Sequence, residues 1–225
     1  MKRIPEPELM DEIEQARAYA EADFKEPNSL FVSLFKERFP GYDMRCVVLD
    51  LGCGPGDISM RFAREYPDCL VHALDGSRAM LNFGKGLLEK EGGGVRQRVR
   101  FIHAVLPAKG LQGETYDVII SNSLLHHLRD PSVLWDTIRG LSRAGTAVCV
   151  MDLFRPSTTE EAGEIVQRYA GGEPDVLRRD FYNSLCAAFE VEEVSVQLGK
   201  AGLGCLTVEV VSDRHMLVSG LIKHT

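Results

Sequence analysis

The run Asp50-Leu51-Gly52-Cys53-Gly54-Pro55-Gly56-Asp57 sets three glycines at alternate positions between two carboxylates. Glycines leave peptide groups bare, so a ligand can approach the backbone closely and the chain can turn through positive φ. A dinucleotide fingerprint would need Gly or Ala where Asp57 stands, and a phosphate loop would need Gly-Lys followed by Ser or Thr. Neither pattern is present, and carboxylates at both ends of the loop are poor company for a pyrophosphate. Asp75 follows Asp50 by 25 residues, the place where an acidic residue accepts both hydroxyls of a ribose. Asp50, Asp57 and Asp75 together suit a phosphate-free nucleoside that carries an ammonium and a sulfonium. A second group is the adjacent pair His126-His127. Imidazoles titrate near neutrality and can take a proton from a hydroxyl, thiol or amine. No H-E-x-x-H and no nearby carboxylate cluster accompanies them, so no metal is expected there.

The elements that must position these groups can be read from the pattern of apolar residues. Residues 46–51, apolar but for Asp50, form a run ending at the glycine loop, as in a buried parallel strand. Further strands are predicted at 70–74, 99–104, 116–121 and 146–153, and helices at 58–66, 77–90 (with Ser77 as N-cap) and 131–141. Gly92-Gly93-Gly94 reads as a flexible turn. Strand and helix alternate, which implies βαβ units with right-handed crossovers and a parallel sheet between helices. Ahead of this block, residues 8–39 are helical in character, split at Pro27-Asn28. Behind it come helices at about 158–170, 174–189 and 191–201, then β-like runs at 205–211 and 215–222, joined tightly enough for an antiparallel edge hairpin. The glycine loop follows the first strand, at the carboxyl ends where open α/β sheets bind ligands.

Composition narrows the functional classes. The chain has 225 residues, 44% hydrophobic and 26% charged, with a formal charge of −7 from 26 basic and 33 acidic residues. One compact domain is the expectation, and the acidic balance disfavours nucleic acid as partner. No apolar run approaches the ~18 residues needed to span a bilayer. The N-terminal segment, charged and broken by prolines, reads as neither signal nor transit peptide, so the expected compartment is the cytoplasm. Six cysteines without a C-x-x-C pair read as reduced packing thiols.

The stretch Val48-Leu49-Asp50-Leu51-Gly52-Cys53-Gly54-Pro55-Gly56, the strand end Ala73-Leu74-Asp75-Gly76-Ser77 with Met80-Leu81, and Tyr116-Asp117-Val118-Ile119-Ile120-Ser121-Asn122 running into Ser123-Leu124-Leu125-His126-His127-Leu128 resemble the motifs of class I S-adenosylmethionine-dependent methyltransferases. The last of them resembles the small-molecule branch typified by ubiquinone-biosynthesis enzymes. The resemblance is clear over residues 44–155. It implies a Rossmann-like, seven-stranded, mostly parallel sheet with helices on both faces and the last strand antiparallel. It also implies a single domain over 1–225, an N-terminal helical lid at 1–40 and a helical substrate cover at 156–203. S-adenosylmethionine would be held by Asp50, Gly52, Cys53, Gly54, Gly56, Asp75, Gly76 and Asn122, with Tyr19 from the lid. Family members commonly carry an acidic residue after the third strand, where this chain has Phe101-Ile102-His103-Ala104-Val105. Adenine would then rest on backbone near Ala104 and Val105 and on Met80. Phe24, Arg179 and Tyr182 are the expected substrate contacts and His126 and His127 the expected proton acceptors. The implied reaction is in-line methyl transfer to a small molecule. The rival readings are a binding module without catalysis, methylation of a protein side chain, and a nicotinamide-dependent reductase, which Asp57 opposes.

Overall fold

The computed structural model describes residues 1–6, 12–111 and 113–223. Seven strands form one sheet: β1 (Val47–Leu51), β2 (Leu70–Asp75), β3 (Val99–His103), β4 (Tyr116–Asn122), β5 (Ser142–Leu153), β6 (Thr207–Val210) and β7 (His215–Leu221). Their order is β3-β2-β1-β4-β5-β7-β6. The first five are parallel, and β7 runs antiparallel to both β5 and β6. The expected fold class is therefore the one observed. Strand order reverses between β1 and β4, so the loop leaving β1 opens at the switch point of the sheet, where connections diverge and leave a crevice.

Alternation of side chains along the central strands divides the core in two. Leu49, Leu51, Ile119, Val148 and Val150 face one way and pack with α6 (Ser132–Leu141) and α9 (Val191–Lys200). Val48, Val118, Ile120 and Cys149 face the other way and pack with α2 (Lys25–Arg38), α3 (Asp57–Glu65) and α4 (Arg78–Leu88). A third cluster joins Leu153 to α7 (Thr159–Ala170) and α8 (Asp175–Ala187), the helices between β5 and β6 that precede α9.

Three expectations need correction. The break in the N-terminal helical segment falls at residues 22–24, between α1 (Ile13–Glu21) and α2, and not at Pro27-Asn28. Pro27 lies in the first turn of α2, where its missing N–H would have had no intrahelical acceptor in any case. The glycines 92–94 are not simply a turn, because Gly93–Arg96 closes one helical turn, α5. β5 starts at Ser142, four residues early, because Ser142 pairs with Tyr116 across a register shift. Ser77 caps α4 as expected, its Oγ accepting the Met80 N–H at 3.1 Å.

Candidate active site

The glycine loop is built by its own backbone. The N–H groups of Gly52 and Cys53 both donate to Leu74 O, at 2.8 and 2.9 Å, which ties the loop to the end of β2. Gly52 and Gly56 stand at φ +72° and +82°, and a Cβ would fall 2.8 Å from Leu124 at the first and 2.6 Å from the Phe101 ring at the second. Only glycine fits either position. Asp75 sits beside the loop, accepting Gly54 N–H at 2.8 Å through one oxygen and Ser77 N–H at 2.7 Å through the other.

The other two loop carboxylates do not share that position. Asp50 is 2% exposed and lies behind the loop, accepting Ser59 Oγ at 2.5 Å. Burial pushes its carboxyl up to about 7, the Ser59 hydroxyl working against this and Asp75 adding to it. Asp57 turns to Asn28 and Arg61. The expected ring of three carboxylates is thus one at the crevice and two engaged in packing and helix contacts.

Around the crevice, Ala104 N–H bonds to Asp75 O at 3.1 Å, His103 Nε2 lies 3.0 Å from Gly76 O, and Met80 is buried. Val105, by contrast, is 56% exposed. Asn122 ends β4 with a buried side-chain oxygen that has no hydrogen-bond partner among the described residues. A buried acceptor of this kind is costly unless a donor is supplied, and it matches an ammonium group. Ser123 beside it holds φ 57°, rare for a residue with a side chain. From α1, Tyr19 reaches the loop: a Cβ on Gly54 would lie 3.9 Å from its ring. Phe24 stacks on Tyr19 with centroids 4.6 Å apart. The Tyr19 hydroxyl is pushed up to about 12 by burial, with Asp75, Asp152 and Asp57 adding to the effect.

After β4 the chain makes a short 3-10 turn, Leu125–His127. His126 is buried, with Nδ1 2.6 Å from Asp152 Oδ1. The same Asp152 carboxylate accepts Leu125 N–H at 2.6 Å and Leu153 N–H at 2.7 Å. These hydrogen bonds and the neighbouring histidines outweigh burial and hold Asp152 below its ordinary value. His126 is raised: burial works against this, but the Asp152 carboxylate and Glu6 prevail. Sequence reading missed Glu6, whose Oε1 lies 3.5 Å from His126 Nε2 and 3.2 Å from His127 Nδ1. It also missed Arg3, which donates to the carbonyls of Ala187, His126 and Leu128 at 2.5, 3.0 and 2.9 Å and lies over the Phe189 ring. No local spacing links residues 3 and 6 to the histidines, so only tertiary structure reveals them. The available signal was Asp152, polar at the end of the apolar run Ala147-Val148-Cys149-Val150-Met151.

The structure does not bring Arg179 and Tyr182 to this crevice. With Arg178, Val176, Val166 and Gln167 they line an open groove of about 540 Å³ between α7 and α8. The opposite helical face of α8 points inward, where Asp180 accepts Gln15 Nε2 and Ser184 Oγ donates to Glu6. Among the described residues, no helix is long and apolar enough to cross a membrane.

Residues 49–148 match the family described as a methyltransferase domain. An uncharacterized methyltransferase of Mycobacterium tuberculosis is 28% identical over 113 residues, which is 49% of this chain and 52% of that protein. The chain thus spans about half the length of that relative. A ribosomal protein uL3 glutamine methyltransferase of Neisseria meningitidis is 39% identical over 74 residues, 33% of this chain and 23% of that one. Among solved structures, a SAM-dependent methyltransferase from Aquifex aeolicus superposes with TM-score 0.67 at 17% identity, covering 94% of this chain and 99% of that chain. The sheet order and the superposition give the chain the Rossmann-like fold of that structure, and residues 49–148 carry the similarity to the methyltransferase domain family.

Proposed function

We propose that this chain binds S-adenosylmethionine at the glycine loop and catalyses methyl transfer to a small molecule seated against His126 and His127. The observation that carries the reading is Asp75: a carboxylate anchored by two backbone N–H groups beside bare peptide at the switch point, with no basic residue in the loop to receive phosphate. The Asn122 oxygen supplies the acceptor that an amino-acid ammonium requires. When bound, the cofactor supplies a methyl group on a sulfonium. Asp75 orients the ribose, Gly52, Cys53, Gly54, Gly56 and Gly76 offer backbone, and Met80, Ala104 and Val105 flank the adenine. Asp50 acts from behind by fixing the loop through Ser59. Tyr19 and Phe24 cover the crevice as a lid. Aligning two reactants in a site that excludes water is worth up to about 7–11 kcal/mol of barrier. A protic acceptor must also lose its proton, and the His126–His127–Glu6 group stands where that proton leaves.

Methylation of a protein side chain is the second reading, favoured by the similarity to the uL3 glutamine enzyme. Against it, Asn122 is followed by Ser123-Leu124-Leu125, without the Pro-Pro-Tyr or Pro-Pro-Phe expected for methylation of amide nitrogens. The ubiquinone-type branch belongs to the same proposal. Calorimetric titration with S-adenosylmethionine and S-adenosylhomocysteine, with NADH as control, tests cofactor binding. Label transfer from methyl-tritiated cofactor then separates small-molecule from peptide acceptors. Binding of NADH and not of S-adenosylmethionine would overturn the reading.

A further inference from the structure

We propose that Glu6, His126 and His127 form a binding site for a divalent transition-metal cation of the zinc class, with Asp152 orienting His126. The three ligand atoms, one carboxylate oxygen and two imidazole nitrogens, lie within 4.8 Å of one another. Glu6 Oε1 is 3.5 Å from His126 Nε2 and 3.2 Å from His127 Nδ1. Around a tetrahedral ion with bonds of about 2.1 Å, neighbouring ligands stand about 3.4 Å apart, so both separations already have the length of a tetrahedral edge.

Hydrogen bonding makes the case stronger than proximity alone. Asp152 is an acceptor for two backbone N–H groups, so the short contact to His126 Nδ1 is an N–H donated by the ring. In the neutral ring that leaves the Nε2 lone pair directed at a carboxylate oxygen. Two acceptors at 3.5 Å need a positive centre between them, either a proton or a cation. The carboxylate–histidine arrangement is the one that orients metal-bound imidazoles and raises their basicity. Ser184 Oγ, 3.1 Å from Glu6 Oε1, fixes the third ligand. The donor set selects the ion: two imidazoles and one carboxylate suit zinc and its neighbours, whereas magnesium and calcium prefer oxygen alone. Three protein ligands leave a fourth position for an external group. A cation there would polarise an acceptor hydroxyl, a consequence that rests on the proposed methyl transfer, while binding of the ion does not.

The test uses the full chain, freed of any affinity tag and of metal by dialysis against a chelator, and titrated with Zn²⁺ alone. One ion per chain is expected. Glu6→Gln and His127→Ala, each checked for folding by circular dichroism, are expected to lower Zn²⁺ affinity at least about tenfold, and Asp152→Asn about 10- to 100-fold. Substitution by Co²⁺ in the unaltered chain gives a readout independent of any variant. Visible bands without thiolate charge transfer support the site. Intense thiolate charge transfer would assign the ion to cysteines and overturn it, as would Zn²⁺ affinity unchanged by Glu6→Gln, or no stoichiometric binding. Titration of the same metal-free protein with S-adenosylmethionine separates failure of the cofactor reading from failure of this one.

Discussion

Asp75 and Gly54 are joined by a 2.8 Å hydrogen bond from the loop N–H to the carboxylate, which couples this acid to the shape of the glycine loop itself. Asp75→Ala is expected to weaken S-adenosylmethionine binding by about tenfold or more, since each hydrogen bond to a charged group is worth about 1.5–3 kcal/mol. Asp75→Asn keeps one acceptor oxygen and should fall between the two. Titration calorimetry checks both, and undiminished affinity in the Ala variant would remove Asp75 from the site.

The sheet was legible because the central strands carry short apolar runs, Val47-Val48-Leu49, Val118-Ile119-Ile120 and Ala147-Val148-Cys149-Val150-Met151, rich in β-branched residues as buried parallel strands are. The position of the glycine loop followed from the same pattern. What local reading could not supply was direction. Asp50 and Asp75 look equivalent as acids flanking a loop, yet the side chain of Asp50 turns behind β1 to Ser59 while that of Asp75 turns to the crevice. Glu6 was invisible for another reason. Its partnership with His126 and His127 spans about half the chain and has no periodicity to betray it.

Asp50 gives a pH dependence with a definite sign. Its folded carboxyl titrates at about 7, above the ordinary value near 3.9, so between those limits the folded state binds more protons than the unfolded one. Stability from this group is therefore fully present below about pH 4 and lost as pH rises through about 7. The gap corresponds to on the order of 4 kcal/mol at about 1.4 kcal/mol per pH unit. Asp50→Asn, which still accepts from Ser59, should match the parent near pH 4 and melt several degrees higher at pH 8. A variant-minus-parent difference that is flat across this range would refute the assignment.

Gly56 and Gly86 make a matched pair. At Gly56 a methyl would strike Phe101 at 2.6 Å with φ at +82°, whereas Gly86 in α4 has nothing within 4 Å. Gly56→Ala should cost about 1–2 kcal/mol from backbone handedness and about 1–3 kcal/mol more from overpacking. Gly86→Ala should be neutral or stabilising by up to about 1 kcal/mol. With about 2–4 °C of melting temperature per kcal/mol for a chain of this size, differential scanning fluorimetry resolves the two, and equal melting points would contradict the loop geometry.

Tyr19 tests whether the N-terminal helix covers the cofactor. Its ring lies against Gly54 and Phe24, and an aromatic face attracts a neighbouring cation by about 0.5–2 kcal/mol. S-adenosylmethionine carries that cation and S-adenosylhomocysteine does not. Tyr19→Ala is therefore expected to weaken the first by about 2- to 30-fold beyond any loss shared with the second. Tyr19→Phe, which keeps the ring and loses only the hydroxyl, should leave the ratio of the two affinities near that of the parent. If Tyr19→Ala weakens both ligands equally, the ring acts only by excluding water and filling space. If it weakens neither, α1 lies clear of the cofactor and the lid must be sought among α7 and α8.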